Sequence, residues 1–341
     1  MWSVILGSGA AWGMIPGKCG PAARVIRAGR GNNHAMSIPS PSSNNPAPAR
    51  PEPRPERTRS CRSVLRRLLV IAGSSYLVWC AVLLVVQESL IFPRWSAGEP
   101  TGRVPDGAEQ VWITTLGGAR IEGLYFPSPG RDETPGPAVI YAHGNGELID
   151  QCVPIARMYN EWGVSVLLPE YRGYGASGGA PSQEGIGADF VAFHDWLTKR
   201  PEVDEGAIVL HGRSLGGGVA AQLAAERRPA ALLLECTFTS IASFSWSYGV
   251  PPMLVRHPFR TDRVVTGLAS VPMLIMHGTT DTIVPVWHGR RLSELAPHAA
   301  YYETDDHHLN FPTDERAYRA RLLGFLREHG IVPADDIAGG E

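Results

Sequence analysis

The stretch IVLHGRSLGGG, residues 208–218, sets a serine between glycines: Gly212, Arg213, Ser214, Leu215 and Gly216. A serine hydroxyl is a poor nucleophile until a base takes its proton, and the base must in turn be oriented, usually by a carboxylate. The G-x-S-x-G spacing suits this chemistry because a serine on a sharp strand-to-helix turn lies against neighbouring backbone, and only glycine tolerates that approach. Alone the pattern is weak, arising by accident in roughly one chain in four of this length and glycine content. Its context is stronger: an apolar strand-like run precedes it and a small-residue helical run, LGGGVAAQLAAERR, follows.

For a serine on such an elbow, the chain order is serine, then acid, then histidine. Asp281, in PMLIMHGTTDTIVP, stands a few residues beyond an apolar strand-like run and is the expected acid. Asp281 read instead as a turn aspartate bonding its own backbone is the ordinary alternative. YYETDDHHLNF supplies the base: His307 is the expected one, and the adjacent His308 is the alternative, since a slip of one residue exchanges them. The oxyanion of an acyl-transfer intermediate requires aimed donors. Backbone N–H groups of Asn145, in YAHGNGELID, and of Leu215, next to the nucleophile, are expected in that role, with Gly146 competing for the first. His143 is read as orienting this loop. The acidic and histidine run Asp305, Asp306, His307, His308 does not read as a metal site, because adjacent residues rarely converge on one ion and neither HExxH nor CxxC stands elsewhere. No cofactor is required.

From about residue 108 the pattern alternates between strands and helices. EQVWITT and RIEGLYFP read as an opening antiparallel pair, and AVIYAHG, VSVLLPEY, AIVLHGR, ALLLECTF, PMLIMHG and AAYYETD as strands covered on both faces. Helical spacing marks SQEGIGADFVAFHDWLTKR, the run after Ser214, WHGRRLSELA and DERAYRARLLGFLREHG, the last stopping at Gly330. That rhythm predicts a mostly parallel α/β sheet with right-handed crossovers.

Upstream, residues 1–61 form a tail rich in Pro, Ser and Arg that reads as disordered. Met36 is an alternative start within it. Residues 62–93 hold a run without charge from Leu68 to Gln87, about 20 residues, the length of a bilayer span. Arg50, Arg54, Arg57, Arg59, Arg62, Arg66 and Arg67 precede it, whereas Arg94 and Arg103 are the nearest basic residues after it. Positive-inside logic therefore puts the N-terminus in the cytoplasm and the remainder on the extracytoplasmic side. Residues 94–332 are the expected catalytic domain and 333–341 a flexible end. A net charge of −2 gives no field for nucleic acid, and the 44% hydrophobic content supports a large core. Five cysteines, widely scattered, suggest neither zinc nor a disulfide framework, and Cys152 and Cys236 read as buried free thiols.

QESLIFPR, YAHGNGE, YRGYGASGGAPS, GRSLGGG, LLLECTFTSI and VPMLIMHGTTDTIVP, followed by the late His307, occur in this order over residues 85–330. In this the chain resembles the α/β-hydrolase superfamily, and within it the Bem46-like branch of membrane-anchored serine hydrolases. The resemblance implies the α/β-hydrolase fold with helices on both faces of the sheet and a short cap, a Ser214, Asp281, His307 triad, and an ester or thioester substrate that is lipid-like. Glu235 matches a glutamate common in the branch and is implied to be structural. The chain departs from the branch around the histidine, where Asp306 and His308 stand in place of glycine and asparagine. The aromatic segment TSIASFSWSYGVPPMLVRHPFR, with Phe244, Trp246, Tyr248, Met253 and Phe259, is either a roof over an acyl pocket or a loop packed on the core. A peptidase of the same fold and a non-catalytic scaffold that binds a partner or lipid are the competing readings.

Overall fold

The computed structural model describes residues 61–115, 117–129 and 134–333. The expected tail and flexible C-terminus lie, apart from Cys61 and Pro333, outside the described residues, as does Met36. The chain separates into two compact units, Met1–Ala72 and Gly73–Glu341. In the first, the described residues are helical; they begin helix α1 (Cys61–Ile91), which is long and apolar enough to cross a membrane.

The second unit is built on eight strands: β1 (Glu109–Thr114), β2 (Arg120–Phe126), β3 (Gly136–Ala142), β4 (Ser165–Pro169), β5 (Val203–Arg213), β6 (Ala231–Glu235), β7 (Met273–Gly278) and β8 (Ala300–Thr304). They form one sheet in the order β1-β2-β4-β3-β5-β6-β7-β8. β1 and β2 are antiparallel, as is β2 with β4, and every pairing from β4 to β8 is parallel. All eight strands fall where the hydrophobic runs place them. β3, β6 and β7 are buried at every position because helices cover both faces.

Successive residues of a strand point to opposite faces, and the core divides accordingly. Ala138, Ile140 and Ala142 of β3 join one apolar cluster, and Val139 and Tyr141 the other. The first cluster takes residues from helices α3 (Gln183–Leu197), α4 (Leu215–Glu226), α5 (Thr261–Gly267) and α6 (Trp287–Leu295); the second from α2 (Val153–Glu161) and α7 (Glu315–Glu328). Ser182 caps α3 by accepting from the Gly185 N–H, and Asp314 caps α7 by accepting from Ala317. α7 stops at Gly330, whose positive φ of 67° a glycine adopts without strain. Two short helices, α2 and α5, of 9 and 7 residues, stand outside the helical runs read from the sequence.

α4 is built of small residues for a steric reason. A Cβ on Gly216 would collide with the carbonyl oxygen of Ala142 at the end of β3, and one on Gly212 with the carbonyl of Gly216. Gly216→Ala is therefore expected to lose about 1–3 kcal/mol or more of stability. Gly324→Ala, in the interior of α7 with nothing within 4 Å of the added carbon, should gain about 0.5–1 kcal/mol. Chemical denaturation of the two variants beside the parent chain checks both signs.

Candidate active site

Four loops meet at the C-terminal ends of the parallel strands, where open α/β sheets place their sites. β5 delivers Ser214 directly into α4. Its φ of 54° and ψ of −117° put it in a region that side chains rarely occupy. Such a conformation costs about 1–3 kcal/mol, and it persists where the surroundings over-determine it. Three hydrogen bonds do so here: Ser214 N–H donates to the Glu235 carbonyl (2.8 Å), and the Ser214 carbonyl accepts from Thr237 Oγ1 (2.7 Å) and from Gly217 N–H (3.0 Å). At about 1 kcal/mol each they offset the strain.

β7 leads to Asp281, buried at the turn that follows it. Its Oδ1 accepts from the N–H groups of Ile283 (2.9 Å) and Val284 (2.8 Å), which fixes the carboxylate, and Oδ2 lies 2.6 Å from His308 Nδ1. The turn-aspartate bonds and the bond to the histidine thus coexist. Burial pushes the Asp281 carboxyl up, but the bonds from His308, Val284 and Ile283 outweigh it and hold the group below the ordinary carboxylate range.

The histidine that reaches this pair is His308, not His307. His308 Nε2 stands 2.9 Å from Ser214 Oγ while Nδ1 faces Asp281. His307 instead directs Nε2 at Thr282 Oγ1 (2.7 Å), away from the serine. The reason is register. Asp306 is buried, its carbonyl lies against Gly278 and accepts from Thr280 N–H (3.2 Å), and its Oδ1 accepts from Thr313 N–H (3.0 Å). His307 continues extended, with φ −95° and ψ 154°, so side chains alternate: Asp306 in, His307 out, His308 in. The Asp-Asp-His-His run sends its side chains to different partners, Asp305 accepting from Thr279 Oγ1 at 3.3 Å. A tighter group forms instead from Cys236, Asp281 and His308, whose ligand atoms lie within 4.8 Å of one another. Burial drives the Cys236 thiol far up, which keeps it a neutral packing residue. Cys152 is likewise a buried free thiol.

Leu215 opens α4, so its N–H is one of those with no acceptor inside the helix. Asn145 stands in the loop after β3, whose Ala142 and His143 carbonyls lie against Gly216 of α4. The Asn145 side chain is anchored at both ends: Nδ2 donates to the Ile91 carbonyl (2.7 Å) at the end of α1, and Oδ1 accepts from Tyr174 Oη (2.9 Å). The Asn145 backbone N–H has no acceptor among the described residues. His143 is fully enclosed, with Nε2 2.9 Å from Glu170 Oε1 and its carbonyl accepting from Tyr171 Oη (2.5 Å), so it orients the loop and is shut off from the serine. Burial lowers its pKa and Glu170 more than restores it, leaving it raised.

A brace that the sequence did not reveal joins three of the four loops, those after β3, β5 and β8. Glu147 accepts from Gly144 N–H through Oε2 (2.9 Å) and from Arg213 through Oε1 (2.9 Å), and Arg213 donates its second nitrogen to the His308 carbonyl (2.9 Å). Burial alone would lower the Arg213 pKa, but Glu147 overrides it and the guanidinium remains charged. The signal available was the arginine inside the serine motif and the glutamate inside GNGE, complementary charges on two loops that must meet. Glu235 is not positioned as an acid for His308: its carboxylate lies 2.8 Å from His211 Nε2 and accepts from Tyr318 Oη (2.6 Å), beneath the elbow.

The comparisons agree with this architecture. A family model described as serine aminopeptidase, S33, matches residues 133–259. The Rv2307c protein of Mycobacterium tuberculosis is 33% identical over 253 residues, covering 72% of this chain and 86% of that protein. The α/β-hydrolase domain-containing protein WAV2 of Arabidopsis thaliana is 31% identical over 252 residues, 66% and 78% of the two chains. The Bem46 protein of Schizosaccharomyces pombe is 32% identical over 157 residues, 44% and 52%. Among solved structures, the Pyrococcus furiosus esterase Pf2001 superposes with a TM-score of 0.56 at 19% identity, over 68% of this chain and 96% of that one, a likeness of fold. The chain belongs to the α/β-hydrolase family, among its Bem46-like members.

Because the Asp281 carboxyl is held below its unfolded value of about 3.9, its contribution to stability is complete above that value and is lost as pH falls through the lowered folded value. The stability difference between the parent chain and Asp281→Asn, followed by urea unfolding, should accordingly shrink between pH 7 and pH 3. A difference constant over that range would contradict the assignment.

Proposed function

We propose that this chain is a membrane-anchored serine hydrolase that cleaves carboxylic ester or thioester bonds of a lipid-like acyl substrate, with residues 94–332 as its catalytic domain. The observation that carries the reading is the continuous pair of short contacts from Ser214 through His308 to Asp281, 2.9 Å and 2.6 Å, at the strand ends. His308 Nε2 takes the proton as Ser214 Oγ attacks the acyl carbonyl, and Asp281 holds the imidazole in the required orientation and stabilises its cationic form. The N–H groups of Leu215 and Asn145 receive the oxyanion. His308 then gives its proton to the leaving oxygen or sulfur. In the second half, His308 takes a proton from water, the hydroxide attacks the acyl-enzyme carbonyl, and Ser214 regains its proton as the acid departs.

Helix α1, with its charge-free run and the arginines before it, supports an anchor whose N-terminus is cytoplasmic and whose catalytic domain is extracytoplasmic. Small-molecule acyl compounds are the substrate class. The matched aminopeptidase family model favours amide substrates as the second reading.

Full-length protein in detergent should react covalently with a fluorophosphonate probe at Ser214, and Ser214→Ala should remove both the label and more than a thousandfold of the turnover of p-nitrophenyl esters. Label on the variant, or ester turnover near that of the parent, would reject the nucleophile. A faster rate on aminoacyl p-nitroanilides than on the matched esters would move the assignment to the peptidase.

A further inference from the structure

The uncharged run of α1 ends at Glu88, and a second uncharged run, residues 241–255 between β6 and α5, ends at Arg256. These two boundaries meet: Arg256 Nη1 lies 3.5 Å from Glu88 Oε1, and the Arg256 N–H donates to Gln87 Oε1 (2.9 Å). Below that level the cap follows the helix. Gln87 Nε2 donates to the Leu254 carbonyl (3.4 Å), and Trp79 Nε1 to the Tyr248 carbonyl (2.9 Å). Trp79 is eight residues before Gln87, about 12 Å along the helix axis.

We propose that residues 246–254 of the cap are immersed in the outer acyl layer of the same bilayer leaflet that α1 crosses, with the Glu88 and Arg256 pair at headgroup level. The inference rests on the reading of α1 as a membrane span. If Leu68 to Gln87 fills the hydrocarbon, whatever bonds to Trp79 lies well inside it. The exposed side chains fit: Met253 is 86% exposed and Trp246 65%, with no charge between them. The backbone fits as well, since non-helical chain in hydrocarbon must satisfy its own polar groups. Gly249, Val250, Leu254 and Val255 donate their N–H groups within the cap, Arg256 donates to Gln87, and Pro251 and Pro252 have none to satisfy. The hydroxyls of Ser243 and Ser245 are turned onto the carbonyls of Ser240 and Ala242.

The test uses the full chain carrying Cys19→Ser and Cys61→Ser, reconstituted into phosphatidylcholine vesicles, with an environment-sensitive nitrobenzoxadiazole label at one of three positions: Met253→Cys, Val78→Cys on the exposed side of α1, or Glu328→Cys on α7. Nitroxide lipids labelled on the acyl chain are the quencher. Expected is blue-shifted emission at Met253→Cys, quenched by a factor close to that at Val78→Cys, with Glu328→Cys unaffected. Quenching at Val78→Cys alone would overturn the immersed cap and leave the anchor standing. Loss of quenching at Val78→Cys would overturn the anchor, and the cap inference with it.

Discussion

Backbone contact between the elbow and its neighbours is the constraint on which the site depends. The turn from β5 into α4 brings the peptide of Gly216 against the carbonyl of Ala142, and no side chain fits between them. That contact sets the N-terminus of α4 against the end of β3. Ser214, two residues earlier, takes positive φ. The strain is local and is offset by hydrogen bonds from Thr237 Oγ1 and Gly217 N–H to the Ser214 carbonyl and from Ser214 N–H to the Glu235 carbonyl.

The remaining parts are tied to this turn by charge. Arg213, the residue before the nucleophile, is bonded to Glu147 on one side and to the His308 carbonyl on the other. One guanidinium therefore relates the Glu147 loop to the His308 loop, a role in which its rigid fork is better suited than a lysine. Asn145 extends the connection to the end of α1 through the Ile91 carbonyl, so the segment that leaves the apolar helix also holds the loop beside the serine. In the same unit, residues 248–256 bond to Trp79 and Gln87 of α1. The end of α1, the segment at 248–256 and the Asn145 loop thus meet at one short stretch of chain.

Much of this was legible in the sequence, and for identifiable reasons. Strands buried on both faces, such as β3, β4, β6 and β7, announce themselves as unbroken apolar runs, and the glycines around Ser214 carry a steric requirement that can be recognised without coordinates. Asp281 followed from chain order. Which histidine faces Ser214 did not, because His307 and His308 are chemically identical and only the side-chain alternation fixed by the burial of Asp306 separates them; sequence patterning does not reveal where a short loop after the edge strand β8 sets its phase. The Arg213 and Glu147 brace was hidden for a similar reason, since it joins residues 66 positions apart through loops rather than through a periodic element. Likewise, the aromatic cap was left between roof and packed loop, and its contacts with α1 depend on a helix face that composition does not specify.

The central claim is that Ser214 is activated by His308 held on Asp281. It is tested most directly by the second-order rate constant for fluorophosphonate inactivation of His307→Ala and His308→Ala beside the parent chain, with unfolding curves to show that both variants fold. The structure predicts a loss of about a thousandfold or more for His308→Ala and a rate within severalfold of the parent for His307→Ala. The reverse order, or equal small losses, would contradict it.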